Sequence, residues 1–179
     1  MAISRQELDS RLQNAVCYVH EADDRGAGAV APLEFVVSYY LDRIARTGCS
    51  VLHLTTVHAF DVGMVAKWRP HFDDNVFSKV RIERCLSLAA LLDQSQADVD
   101  LVVIEDIRGL FNLEFAKNYT GASASMVGLM RKLREKAYKT GCSTMFVERE
   151  RGAQFQSRPI EQYVRTLYDC EVEASWKEV

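Results

Sequence analysis

Residues 101–104 read Leu-Val-Val-Ile, four branched apolar residues in a row that stop at Glu105 and Asp106. A short run with no polar alternation fits a strand buried on both faces, which in a soluble chain means a central parallel strand between layers of helix. Such sheets hold their ligand crevice at the carboxyl ends of the strands, so Glu105 and Asp106 are expected where chemistry usually sits.

The chain around this run has 179 residues, 48% of them hydrophobic. That supports one well-buried core, and we expect a single α/β domain over residues 1–179 with a short helix inside residues 1–14. With 22 Lys and Arg against 25 Asp and Glu, the net charge of −3 gives no global basic field. Any nucleic-acid contact must therefore come from a local patch. Five cysteines are scattered with no C-x-x-C spacing, a pattern of buried free thiols in a reducing compartment. No apolar run reaches the roughly 18 residues of a membrane span, so no membrane contact is expected, and cytosol or nucleus follows.

Along the chain, Ser4 and Glu7 are placed as a capping box for a helix over residues 4–13. An apolar strand at 15–20 leads through a small-residue loop to a helix over 33–46, which Thr47 and Gly48 close. A second strand at 50–56 makes a βαβ unit. A short helix at 62–68, a polar and aromatic loop at 71–78, an alternating strand near an edge at 80–85 and a helix at 87–93 precede the central strand. Residues 107–125 read as a long loop, with Arg108, Phe111, Phe115, Lys117, Asn118 and Tyr119. A helix at 126–140 carries an apolar stripe of Val127, Met130, Leu133 and Ala137. A strand at 143–148, a second polar loop at 149–159, a segment at 160–168 and a last strand near 170–174 complete an alternating layer structure. Trp68, Phe72, Phe77, Phe111 and Phe115 fall in loops or at helix ends, where a partner subunit is expected to cover some of them.

Few motifs carry chemistry. A nucleotide-hydrolysing phosphate loop needs G-x-x-x-x-G-K-[ST], because the lysine meets the β and γ oxygens and the hydroxyl holds Mg²⁺. The first loop has Gly26 and Gly28 but no lysine before the helix, and Glu21, Asp23 and Asp24 would repel a triphosphate. Asp23, Asp24, Glu105 and Asp106 are the oxygen ligands a metal could use; the other reading is a residual acidic crevice, and we expect no metal and no cofactor. The four histidines form no H-x-x-x-H or H-E-x-x-H, and no nucleophile elbow or Cys-His arrangement is visible. Arg131, Lys132, Arg134, Lys136 and Lys139 make a basic helix face of the kind that is most often simply solvated.

The order of elements resembles the RecA-type recombinase core. Val103-Ile104-Glu105-Asp106-Ile107 with Gly109-Leu110-Phe111, then Leu133-Arg134 in a helix and Gly141-Cys142 before an apolar strand, looks like that core's second half. Residues 48–56, Gly-Cys-Ser-Val-Leu-His-Leu-Thr-Thr, with Phe60, match the strand and turn after its ATP-binding helix. The resemblance covers about residues 15–175. It is closest to the catalytically degenerate recombinase paralogues of the yeast Shu complex, on Phe111-Asn112-Leu113-Glu114-Phe115, Lys117-Asn118-Tyr119 and Arg131-Lys132-Leu133-Arg134-Glu135.

The resemblance implies a RecA-like, mostly parallel sheet flanked by helices with a degenerate nucleotide site at Arg25, Gly26, Gly28, Val57, Glu105 and Asp106. Arg25 to Ala31 lacks the phosphate-loop Lys and Thr, Val57 replaces the water-activating Glu, and Glu105 stands at the Walker-B Asp position. Three such losses imply a pseudo-ATPase, not an enzyme. The family's two DNA-facing loops map onto residues 109–125 and 149–159, which makes Lys117, Arg149, Arg151 and Arg158 the DNA-binding candidates, through phosphate pairing beside stacking aromatics. Glu148 and Glu150 interrupt the second loop. The implied role is a nuclear, non-catalytic subunit that assists homologous recombination and DNA repair. Its implied partners are single-stranded or forked DNA, a second paralogue subunit in a heterodimer, and the main recombinase, which it would stabilise on single strands. The alternative is a purely structural subunit that contacts protein only.

Overall fold

The computed structural model describes residues 3–20, 30–56, 59–148 and 168–175. Its centre is one six-stranded, all-parallel sheet: β1 (Val16–His20), β2 (Val51–Thr55), β3 (Val80–Arg84), β4 (Leu101–Glu105), β5 (Ser143–Val147) and β6 (Cys170–Glu173), in the order β3-β2-β4-β5-β1-β6. The layout is consistent with a RecA-like core. β2, β4 and β5 are buried along their whole length, as the unbroken apolar run of β4 required. The edge strand β3 is mostly exposed, and its Arg81, Glu83 and Arg84 blunt the free edge against pairing with another chain.

Alternation along the strands divides the interior into two cores, because successive side chains leave opposite faces. On one face Cys17, Val19, Val51, Leu101, Val103, Met145 and Val147 pack under α1 (Arg5–Leu12) and α2 (Pro32–Thr47) through Leu8, Leu12, Phe35, Tyr39, Tyr40 and Ile44. On the other, Val16, Leu52, Leu54, Val102, Ile104 and Phe146 pack under α5 (Leu88–Gln94), α6 (Ile107–Lys117) and α7 (Tyr119–Thr140). Two short helices, α3 (Val62–Trp68) and α4 (Asp74–Ser78), lie between β2 and β3. The helix ends follow local chemistry. Ser4 Oγ accepts the Glu7 N–H at 3.2 Å, and Gly48 and Gly141 close α2 and α7 at φ 70° and 76°, where a Cβ would be strained.

Residues 107–125 are not a loop. Ile107, Leu110 and Phe111 recur at helical spacing and bury one side of α6 against the second core, with Phe115 half-buried behind them. The chain breaks for one residue at Asn118, whose Oδ1 accepts the Gly121 N–H at 3.0 Å and caps α7. Gly121 fits this cap closely, since a Cβ there would stand 2.5 Å from Asn118 Nδ2. α7 therefore starts seven residues earlier than periodicity from Met126 suggested. Its buried stripe is Ala122, Met126, Leu129, Met130, Leu133 and Ala137, while Val127 faces out. Residues 71–78 likewise hold the end of a 3₁₀ turn (Arg69–His71) and α4 in place of a loop. Phe111 is buried in the core, and Trp68, Phe72, Phe77 and Phe115 are half-buried against it, so the chain itself already covers much of this aromatic surface. Asn118→Ala should lower stability by about 1 kcal/mol, read as a lower urea midpoint at constant slope.

Candidate functional site at the carboxyl ends of the strands

The parallel sheet brings the ends of β1, β2, β4 and β5 to one edge, and two carboxyl groups there have different fates. Glu105 keeps the parity of Leu101 and Val103, which turns its side chain towards α2. One strand over, His53 of β2 leaves the same face, and its Nε2 lies 3.2 Å from Glu105 Oε2. The two side chains are 0% and 1% exposed. Tyr40 and Phe60 meet the imidazole edge-on at 5.9 and 5.0 Å, which seals the pair under aromatic carbon. Burial first, and the nearby Glu105 second, push the Tyr40 hydroxyl well above the usual tyrosine range. Thr56 Oγ1 donates to the Glu105 and Asp106 carbonyls, at 2.9 and 2.6 Å, and fixes the strand end.

Asp106 takes the left-handed conformation, φ 55° and ψ 46°, and its N–H donates to the Val147 carbonyl at 2.8 Å. This single reversed residue turns the chain from β4 into α6, at a local cost that Asp tolerates better than most residues. Beside it, Glu148 follows β5 and is 8% exposed, with Oε1 accepting the Arg108 N–H at a long 3.4 Å. Burial, then the charge of Asp106 and a hydrogen bond with it, push Glu148 up to about 8 against the opposing pull of Arg108. Burial and the neighbouring Asp106 charge thus favour the protonated form of Glu148 near neutral pH. Arg108 Nη2 reaches the Tyr18 hydroxyl at 3.3 Å, and Tyr18 stacks on Tyr168 with ring centres 5.3 Å apart. Polar contacts therefore link the ends of β4 and β5 to the middle of β1 beside the start of α6.

A protonated carboxyl beside a second acid is also a general-acid pattern. Here both groups brace the β4 to α6 turn. Among the described residues no three His, Cys, Asp or Glu side chains converge as a metal site. A cavity of about 520 Å³ lies at the other end of the strands, lined by Gly48, Phe72, Val76 and Lys79, far from this chemistry.

Of the expected site residues, Glu105 and Asp106 do stand at the end of the central strand. Lys117 lies in the last turn of α6, exposed, and not on a loop. Arg25, Gly26, Gly28, Val57, Arg149, Arg151 and Arg158 lie outside the described residues, as do Asp23 and Asp24. The basic face of α7 is largely occupied: Lys136 Nζ donates to the Ser95 and Ala97 carbonyls, Lys132 and Lys139 pair with Glu135, and Arg134 reaches Asp169 at 3.4 Å. The pairing of His53 with Glu105 and the role of Glu148 escaped sequence reasoning. A histidine alone among apolar residues in a buried strand was the available signal. No protein-family model matches the chain, and no curated protein does.

Proposed function

We propose that this chain is a non-catalytic subunit of a recombinase-paralogue complex of the Shu type, acting in the nucleus in homologous recombination and DNA repair. In this reading it binds single-stranded or forked DNA together with a second paralogue subunit and stabilises the main recombinase there. It uses no cofactor and turns over no ATP. The observation that carries the reading is the sealing of Glu105. The six-stranded parallel layout is consistent with a RecA-like core, and the resemblance assigns Glu105 the place of the metal-supporting acid. A carboxyl 1% exposed and held by His53 Nε2 is withdrawn from any crevice metal. The same scaffold can then serve as a platform without serving as an ATPase.

The second reading, a structural subunit that contacts protein only, draws on two observations. Lys117 sits on a helix, and most of the basic residues of α7 are paired within the chain. The complex isolated from native cells decides between them, by fluorescence anisotropy of a labelled single strand at several salt concentrations. Replacing Arg149, Arg151 and Arg158 together by alanine should flatten the slope of log K against log salt by about 2, from roughly 0.7 per lost phosphate contact. The loss should be nearly the same for any base sequence, because phosphate contacts carry no base information. Unchanged affinity and slope, with the complex intact, would leave the structural reading standing.

A further inference from the structure

Cys17 on β1 and Cys170 on β6 are direct partners in the parallel ladder. Both side chains leave the sheet on the α1 and α2 side, which sets the two thiols next to each other on one face. Cys170 Sγ also approaches the Arg11 carbonyl at 3.7 Å. Neighbouring strands lie about 4.8 Å apart, inside the roughly 4.4–6.8 Å between Cα atoms that a disulfide accepts. β6 is an edge strand of four residues that pairs only with β1 among the described residues, so it can make the small shift that sulfur–sulfur bonding needs.

The geometry points to a dithiol modification site: Cys17 and Cys170 close to a reversible disulfide when the protein meets a peroxide. The two sulfurs are not equivalent. The neighbouring Cys17 lowers Cys170 below the usual thiol range, while Cys170, with burial, raises Cys17. Cys170 is also the half-buried one, and Cys17 is fully buried. Exposure thus makes Cys170 the sulfur that meets peroxide, attacking as its thiolate, and Cys17 the resolving thiol. In the first step the Cys170 thiolate attacks one oxygen of hydrogen peroxide, the O–O bond breaks, hydroxide leaves and Cys170 becomes the sulfenic acid. In the second, the Cys17 sulfur attacks Cys170, the S–O bond breaks and water leaves with the Cys17 proton. Peroxide is reduced to water and hydroxide, and one thiolate and one thiol are oxidised to one disulfide. A small-molecule dithiol reverses the reaction by exchange.

The staple joins two strands that are far apart in sequence, closing a loop from residue 17 to residue 170. Such a large loop constrains the unfolded chain strongly. The test treats the full-length folded protein with hydrogen peroxide, blocks remaining thiols with N-ethylmaleimide and maps the peptides by mass spectrometry without reduction. The expected result is a Cys17–Cys170 peptide pair short of two hydrogen atoms, a faster band on a non-reducing gel, and a Tm higher by about 5–10 °C that dithiothreitol reverses. In Cys170→Ser all three should vanish while the reduced Tm stays close to wild type. Cys170 recovered as sulfinic acid with Cys17 still a free thiol would overturn the inference. So would a linkage through Cys49, Cys85 or Cys142, or a chain whose Cys49 reacts while this pair stays reduced.

Discussion

His53→Leu is expected to lower the unfolding free energy by about 3–5 kcal/mol, the usual loss when one partner of a buried charged or hydrogen-bonded pair is removed. The leucine fills the space beside Tyr40 and Phe60, but it takes away the Nε2 that lies 3.2 Å from the Glu105 carboxyl, in a site with 1% exposure. The carboxyl keeps its desolvation and loses this contact. Glu105→Leu alone should cost less, because it removes the group that is costly to bury. The double replacement should recover most of the loss, since two apolar side chains suit a sheet face already made of Val51, Leu101 and Val103. Urea unfolding of the four proteins closes the cycle. A coupling of about 2 kcal/mol or more is expected; additive single effects would show that the pair does not act as a unit.

Glu148 should make the protein lose stability as the pH rises. Its folded-state value of about 8 lies above the ordinary 4.5. Between those limits the folded chain holds a proton that the unfolded chain has released, so folding is favoured by protons. The contribution is fully present below the ordinary value and is lost as the pH climbs through the folded one, with a slope of up to about 1.4 kcal/mol per pH unit. Glu148→Gln keeps the shape and a hydrogen-bonding head without the titration. We expect urea midpoints of the wild type to fall from pH 5 to pH 8 while those of the variant stay nearly level, so that the variant is the more stable protein at pH 8. Parallel curves would remove Glu148 from the account and leave Asp106 and Arg108 to hold the turn without it.

Much of this architecture could be read from short-range patterns, and the failures share one cause. The all-apolar run at 101–104 does form the buried parallel strand, Ser4 does cap α1, and Gly48 and Gly141 do end α2 and α7, because each depends on neighbours in sequence. Residues 107–125 misled because Gly109, Lys117 and Asn118 suggest a loop, whereas Ile107, Leu110 and Phe111 need only the second core beneath them to settle as helix. That core is assembled from β1, β2, β4 and β5, so the helical spacing inside the segment gained its meaning only from strands far away in sequence. The site was hidden in the same way. His53 and Glu105 are 52 residues apart and meet only because β2 lies beside β4, and Glu148 becomes a proton-holding group only once the fold buries it beside Asp106.

The sheet order also governs how the chain can fold as it leaves the ribosome. β1 emerges early, yet its neighbours on both sides are β5 and β6, so its first ladder partner, Thr144 opposite Val16, is made 128 residues later. The buffers against that delay are local: α1 and α2 can lie over one face of Val16–Val19, but among the described residues no strand made before β5 pairs with its backbone edges. Long-range parallel pairing is slow, and an unpaired apolar strand is a template for other chains. The nascent protein therefore carries an open strand for most of its synthesis. A chaperone that shields extended apolar segments, or an early docking partner, would raise the yield of folded chain more than any improvement of the finished core.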